Sequence, residues 1–120
     1  MSLDPRVVLV VSDDPWAVDR MAAHLRGHGC RARPLADYRL AIEVVEQLRP
    51  DVVVLDQIVS HPDADELLDR LEAMGEDAPR VVLLRYAPGP AGAFSTLRVT
   101  VVAGEGWLDD LPGAIARSLG

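Results

Sequence analysis

The sequence contains no lysine, and all 12 of its basic residues are arginines. Any mechanism that depends on a lysine ammonium is therefore excluded at the outset. Cysteine is reduced to Cys30 alone, so no internal disulfide can form, and the thiol reads as a small buried hydrophobe. Aromatic residues make up only 4% of the chain. The core must then come from Val, Leu, Ala and Ile, a composition common in buried parallel strands flanked by helices. The longest apolar run, Val7 to Val11, falls far short of the roughly 20 residues that span a bilayer. The first residues carry neither the basic segment nor the apolar stretch of a signal peptide, so a cytoplasmic protein with no membrane partner is expected. No glycine-rich phosphate loop of dinucleotide or Walker type is present, and no Ser/His/Asp spacing implies a nucleophilic triad.

What remains is apolar and acidic. A hydrophobic content of 49% over 120 residues suffices for one core, and one domain over residues 1–120 is expected. The formal net charge of -7 gives a surface that repels phosphate backbones. Direct nucleic-acid binding is not expected; a protein partner is.

Four runs rich in β-branched residues, Val7 to Val11, Val52 to Leu55, Val81 to Leu84 and Val99 to Ala103, read as buried parallel strands, with a weaker fifth around Arg31 to Pro34. Helical patterns lie between them. Asp14-Pro15 opens the first as N-cap and N1, with Val18, Met21, Ala22 and Leu25 facing inward until Gly27 and Gly29. Asp37 caps a second, whose Leu40, Ala41, Val44, Val45 and Leu48 face inward until Pro50. Asp63 or Asp65 starts a third, burying Leu67, Leu68 and Leu71 before Gly75. Leu108 to Leu119 reads as the last, with Pro112 in its first turn. Tyr86 to Thr96, broken by Pro88, Gly89, Pro90 and Gly92, reads as a loop followed by a short or distorted helix. This alternation predicts a doubly wound α/β fold with a five-stranded parallel sheet and helices on both faces.

In such a sheet, ligands bind beyond the carboxyl ends of the strands. There the sequence places Ser12, Asp13 and Asp14 after the first strand, Asp56 at the end of the third, Arg85 after the fourth, and Gly104-Glu105 after the fifth. Two carboxylates, Asp13 and Asp56, would face one pocket, where their repulsion calls for a cation or a shared proton. Magnesium suits that donor set. Other polar groups carry less. His24 and His28 have helical i, i+4 spacing without a third metal ligand, and His61, Asp63 and Asp65 read as the polar lead-in to a helix.

Val8-Leu-Val-Val-Ser-Asp-Asp-Pro15 resembles the first strand and acidic turn of response-regulator receiver domains, and Arg49-Pro-Asp-Val-Val-Val-Leu-Asp56 resembles their phosphoacceptor strand. Ala36-Asp37 followed by Ala41, and Asp63, Glu66 and Leu67, also fall where that family places similar residues, so the resemblance covers essentially the whole chain. It implies the flavodoxin-like receiver architecture and a transducer rather than a turnover enzyme. It implies that Asp56 accepts phosphate from a histidine kinase or phosphotransfer protein. It also implies that Asp13, Asp56 and the carbonyl of Ile58 hold Mg2+.

The departures are equally specific. Ser12 stands at the first position of the acidic pair, Arg85 at the switch Ser or Thr, Val101 at the switch aromatic, and Gly104 at the lysine. Ser60 and Ala64 replace the Pro and Gly that follow the phosphoacceptor. Weak magnesium binding is expected, with Arg85 as a counter-charge for the aspartates. The alternative to a phosphorylated receiver is a pseudo-receiver, a phosphorylation-independent module that binds a protein partner. An aspartate-nucleophile phosphotransferase or phosphatase is disfavoured because no Asp-x-Asp spacing occurs at Asp13 or Asp56. A monomer or a homodimer is expected, with any interface altered by the Pro/Gly-rich segment, Phe94 and Trp107.

Overall fold

Short runs of valine and leucine become strands here because both of their faces are covered. The computed structural model describes residues 6–57, 62–85, 97–104 and 106–120. Strands β1 (Val7–Val11), β2 (Arg31–Leu35), β3 (Val52–Asp56), β4 (Arg80–Arg85) and β5 (Val99–Ala103) form one parallel sheet in the order β2-β1-β3-β4-β5. Helices α1 (Pro15–Arg26), α2 (Ala41–Leu48), α3 (Pro62–Ala73) and α4 (Trp107–Leu119) complete the described secondary structure, apart from two short 3-10 turns. This is the doubly wound arrangement the sequence predicts.

Side chains alternate across the sheet. Val8, Val10, Val52, Val54, Val82 and Leu84 point to one face, where Val18, Met21, Ala22 and Leu25 of α1 and Leu111, Ala114 and Ile115 of α4 cover them. Leu9, Val11, Val53, Leu55, Val81 and Leu83 point to the other, against Ala41 and Val45 of α2 and Leu67, Leu68 and Leu71 of α3. Cys30 lies buried in the first of these cores, where its thiol bonds to the Leu25 carbonyl at 3.2 Å and burial raises its pKa.

At the amino end of the sheet, Asp51 fixes the register of β1 against β3. Its main-chain N–H donates to the Val7 carbonyl at 2.8 Å, and its Oδ2 accepts from the Val7 N–H at 2.8 Å. At the carboxyl end, the Gln57 N–H donates to the Leu84 carbonyl at 2.8 Å, extending the β3–β4 ladder by one residue past Asp56.

Several helix boundaries differ from the sequence reading. Asp14 caps α1 as expected, accepting from the N–H groups of Trp16 at 2.9 Å and Ala17 at 3.4 Å. Asp37, by contrast, caps a 3-10 turn at Tyr38–Leu40 rather than α2 itself. The tighter turn rotates Leu40 out of the predicted stripe, leaving it 46% exposed, while Tyr38 turns inward and is buried. Strand β2 runs one residue further than predicted, to Leu35, and α3 starts at Pro62, a favourable first helical residue because it needs no N–H partner. Pro112 sits in the second turn of α4, not the first, because the helix already begins at Trp107. There it removes one backbone donor, and its ring is buried. The segment Tyr86 to Thr96 and residues Ile58, Ser60, His61 and Glu105 lie outside the described residues.

Arg49 ends α2 in the left-handed region, at φ 49° and ψ 60°, and is the one non-glycine residue with positive φ among the described residues. Its N–H still donates to the Val45 carbonyl at 2.9 Å, so the strained conformation is what terminates the helix ahead of Pro50. A side chain there costs about 1 kcal/mol relative to glycine. Arg49→Gly is expected to raise stability by about 0.5–1 kcal/mol, since the lower cost of glycine here is partly offset by its larger loss of chain entropy. Urea denaturation checks this: the midpoint should rise with an unchanged slope.

Candidate functional site

Ser12 follows the last residue of β1, and its side chain is fully buried. A buried hydroxyl needs partners, and it finds one on each side. Its Oγ donates to Oδ2 of Asp56 at 3.0 Å and accepts from the Asp14 N–H at 3.2 Å. The first bond spans the neighbouring strands β1 and β3, while the second sets the turn that carries Asp13 outward and lets Asp14 cap α1. Ser12 therefore supplies a neutral donor to the Asp56 carboxylate where a second carboxylate would repel it. The sequence reading noted Ser12 as a substitution but did not foresee this bond.

Tyr38 was missed altogether. The 3-10 turn swings its ring against the second core, and its hydroxyl donates to the main-chain carbonyl of Asp56 at 2.8 Å. Burial pushes the phenol pKa up to about 12, and the charges of Asp56 and Asp13 push the same way; hydrogen bonds from the Ser12 side chain and the Asp13 main chain oppose them. The hydroxyl is thus a neutral group held on the main chain of Asp56, in the field of the pocket's carboxylates. One sequence signal pointed to it. In a chain this poor in aromatics, a tyrosine directly after the Asp37 cap, beyond the carboxyl end of the strand beside β1, sits at the ligand-binding edge rather than in the middle of a helix stripe.

Arg85 ends β4, and its Nε donates to Oε1 of Gln57 at 3.4 Å. The amide of Gln57 in turn donates to Oδ1 of Asp65 at 3.3 Å. The guanidinium therefore stands beside the residue that follows Asp56 and is linked through it to the first turn of α3. Asp13 is exposed and Asp56 half-buried at the ends of adjacent strands. Gly104, at φ 87°, follows β5 with open space where a Cβ would lie. Among the described residues, no three His, Cys, Asp or Glu side chains are grouped to cage a metal. A pair of carboxylates fits a hard cation that keeps most of its waters, as magnesium does. Ile58, the expected carbonyl donor, lies outside the described residues. His24 and His28 pack edge to face, with ring centroids 5.1 Å apart. Among the described residues, no helix is long and apolar enough to cross a membrane.

Comparison with known proteins fits this architecture. No protein-family model matches the chain. The response regulator MprA of Mycolicibacterium vanbaalenii is 33% identical over 79 residues, covering 66% of this chain and 34% of that protein. The matched segment thus spans about a third of its relative's length. A response regulator receiver domain protein from Bacillus halodurans superposes with a TM-score of 0.75 at 17% identity, covering 96% of this chain and 97% of that one. The chemotaxis protein CheY4 of Vibrio cholerae gives 0.78 at 18% identity, covering 96% and 99%. The structural likenesses speak for the fold, and the sequence relatives for the family. The sequence relatives are response regulators, and the fold is that of their receiver domains.

Among the described residues, a serine and a tyrosine, both uncharged, hydrogen-bond to Asp56. Tyr38 carries a pH signature. Its folded pKa of about 12 lies above the ordinary 10.0, so the stability it contributes is complete below pH 10 and is lost as pH rises toward 12. Unfolding of the parent should therefore become easier between these values, and Tyr38→Phe should abolish that part of the alkaline loss. Urea midpoints measured at intervals across the range check this, with the Tyr86 phenol as the constant background in both proteins.

Proposed function

We propose that this chain is a receiver domain that accepts a phosphoryl group on Asp56 from a histidine kinase or a histidine phosphotransfer protein, acting as a transducer and not as a turnover catalyst. The observation that supports this most is the placement of Asp56. Its carboxylate ends a central strand, half-buried, with Oδ2 held by Ser12 at 3.0 Å and its main chain held by Tyr38 at 2.8 Å. Attack by a carboxylate oxygen forms the new P–O bond while the P–N bond of the donor imidazole breaks, and the donor nitrogen leaves with the electron pair. Asp56 supplies the oxygen, Ser12 fixes the rotamer of the carboxylate, and Tyr38 fixes the strand end that carries it.

Asp13, Asp56 and the Ile58 carbonyl would hold Mg2+, which, when bound, neutralises the carboxylates and the incoming phosphoryl oxygens. With Ser12 in place of a carboxylate, that binding is weak, with a dissociation constant on the order of 1 mM. Arg85 acts as the counter-charge at the rim: it is a permanent cation that partly stands in for the absent lysine. An aspartate pair with such a cation nearby tolerates partial loading of the metal.

The direct test is intact-mass measurement after incubation with acetyl phosphate and magnesium. One phosphate adduct is expected, and it should be absent from Asp56→Asn. No adduct under any condition would instead favour the pseudo-receiver, in which the same fold binds its protein partner without phosphate. The metal reading has its own check, in which Trp16, close to Asp13 in the chain, reports binding by fluorescence. Ser12→Asp should tighten magnesium by roughly tenfold, the effect of one added charge at the site. Arg85→Ala and Arg85→Thr should each also tighten it, because removing the cation increases the demand for another. Unchanged affinity in both Arg85 variants would show that Arg85 does not serve the pocket.

A further inference from the structure

Tyr38 faces two ways. On one side its hydroxyl meets the Asp56 carbonyl at 2.8 Å. On the other, its ring lines a groove of about 250 Å3 together with Arg39, Ile42, Asp63, Glu66, Leu67 and Arg70. One wall of the groove is the 3-10 turn with the start of α2, and the other is the first three turns of α3. The ion pairs on its rim, Arg39 with Asp37 at 3.4 Å and Arg70 with Glu66 at 3.1 Å, are exposed and contribute little rigidity. The shape of the groove is therefore set by packing, with the Tyr38 ring clustered with Leu67 and with Ile42 packed alongside.

Among the described residues, the two positions on the β4–β5 side where the family carries its switch residues hold neither a hydroxyl nor a ring. Arg85 is engaged with Gln57, and Val101 is a half-buried aliphatic residue. Tyr38 has both, and it is already bonded to the last carbonyl of β3.

We propose that Tyr38 is the positioning residue that ties the Asp56 strand end to the groove between α2 and α3, so that loading Asp56 is read out at that groove. This rests on Asp56 being the phosphoacceptor. Phosphorylation replaces the single carboxylate charge with an acyl phosphate carrying nearly two, a net gain of about one negative charge at a residue whose carboxylate and carbonyl are both held. Any shift of that carbonyl draws the hydroxyl with it or breaks the bond. The ring is buried and clustered with Leu67, with Ile42 packed alongside, so a movement of the hydroxyl is passed to its neighbours on α3 and α2.

The test uses the full chain with beryllofluoride and magnesium. Fluorine NMR reports whether the site is loaded, independently of any structural response, and amide hydrogen exchange reports the response by segment. In the parent, loading is expected to change exchange by about fivefold at residues 39–42 and 63–70, the scale of one hydrogen bond. Tyr38→Phe keeps the ring and loses the hydroxyl; compared at saturating beryllofluoride, where the fluorine signal shows the site filled, the response at the groove should disappear. A tyrosine with a merely structural role would alter exchange equally in free and loaded protein and leave the difference intact, which would overturn the proposal. So would a loaded parent whose response is confined to residues 97–116, and that pattern decides the matter even if Tyr38→Phe does not fold. A parent that shows no bound fluorine signal overturns the phosphoacceptor reading and this proposal with it, whereas a loaded parent with an unchanged groove overturns this proposal alone.

Discussion

Three central strands, β1, β3 and β4, have no face open to water. Every side chain from Val8 to Val11, from Val52 to Leu55 and from Val81 to Leu84 is fully buried, so polar chemistry is pushed to the strand ends. Burying an unpaired carboxylate or guanidinium within such a layer would cost several kcal/mol. Among the described residues, Arg6, Asp51 and Arg80 at the amino end, and Ser12, Asp56, Gln57 and Arg85 at the carboxyl end, are the polar residues that directly flank or end the central strands. The same constraint fixes register. With period-2 alternation and both faces packed, a slip of one residue would exchange the partners of α1 and α4 for those of α2 and α3. The position of Asp56 beside Ser12 is thus set by packing along the whole of β1 and β3, not by any attraction between the two residues.

That logic explains which features were legible in the sequence. Runs of valine bounded by Asp and Arg announce buried strands with functional ends, and the order of strands and helices follows from their alternation. Asp13, Asp56 and Arg85 could be assigned to one edge before any coordinates, because a parallel sheet sends all its carboxyl ends the same way. Helix edges were less legible where local chemistry allowed two answers. Asp37 is a good cap for either an α-helix or a 3-10 turn, and the choice between them decides whether Leu40 or Tyr38 faces the core. In the structure the core takes the larger, flatter ring and releases Leu40 to solvent.

Side-chain direction was the least legible of all. Ser12 in a run of the form Val-Val-Ser-Asp-Asp reads as the loss of an acid, and only the fold shows that its hydroxyl spans to Oδ2 of Asp56. Tyr38 lies far from Asp56 in sequence and on a different element, so no periodicity connects them. What brings them together is the sheet order, in which β2 lies beside β1 and β1 beside β3. The chain leaving β2 must then pass over the end of β1 to reach α2, and a long side chain on that path reaches the end of β3.

The composition of the pocket follows from charge balance. Two aspartates at one edge of a chain carrying a net charge of -7 already sit in an unfavourable field, and the sequence has no lysine with which to offset it. A third carboxylate at position 12 would have added to that repulsion. A serine removes the charge and still satisfies the buried carboxylate oxygen. Tyr38 follows the same economy: its burial beside Asp13 and Asp56 holds the phenol neutral, so it can donate to the Asp56 carbonyl without bringing in charge of its own. Arg85, a cation near the site, bonds to Gln57, the residue after Asp56. Neutral hydroxyls at the centre and one arginine at the edge thus form a consistent set, in which each departure from the family pattern makes the others tolerable.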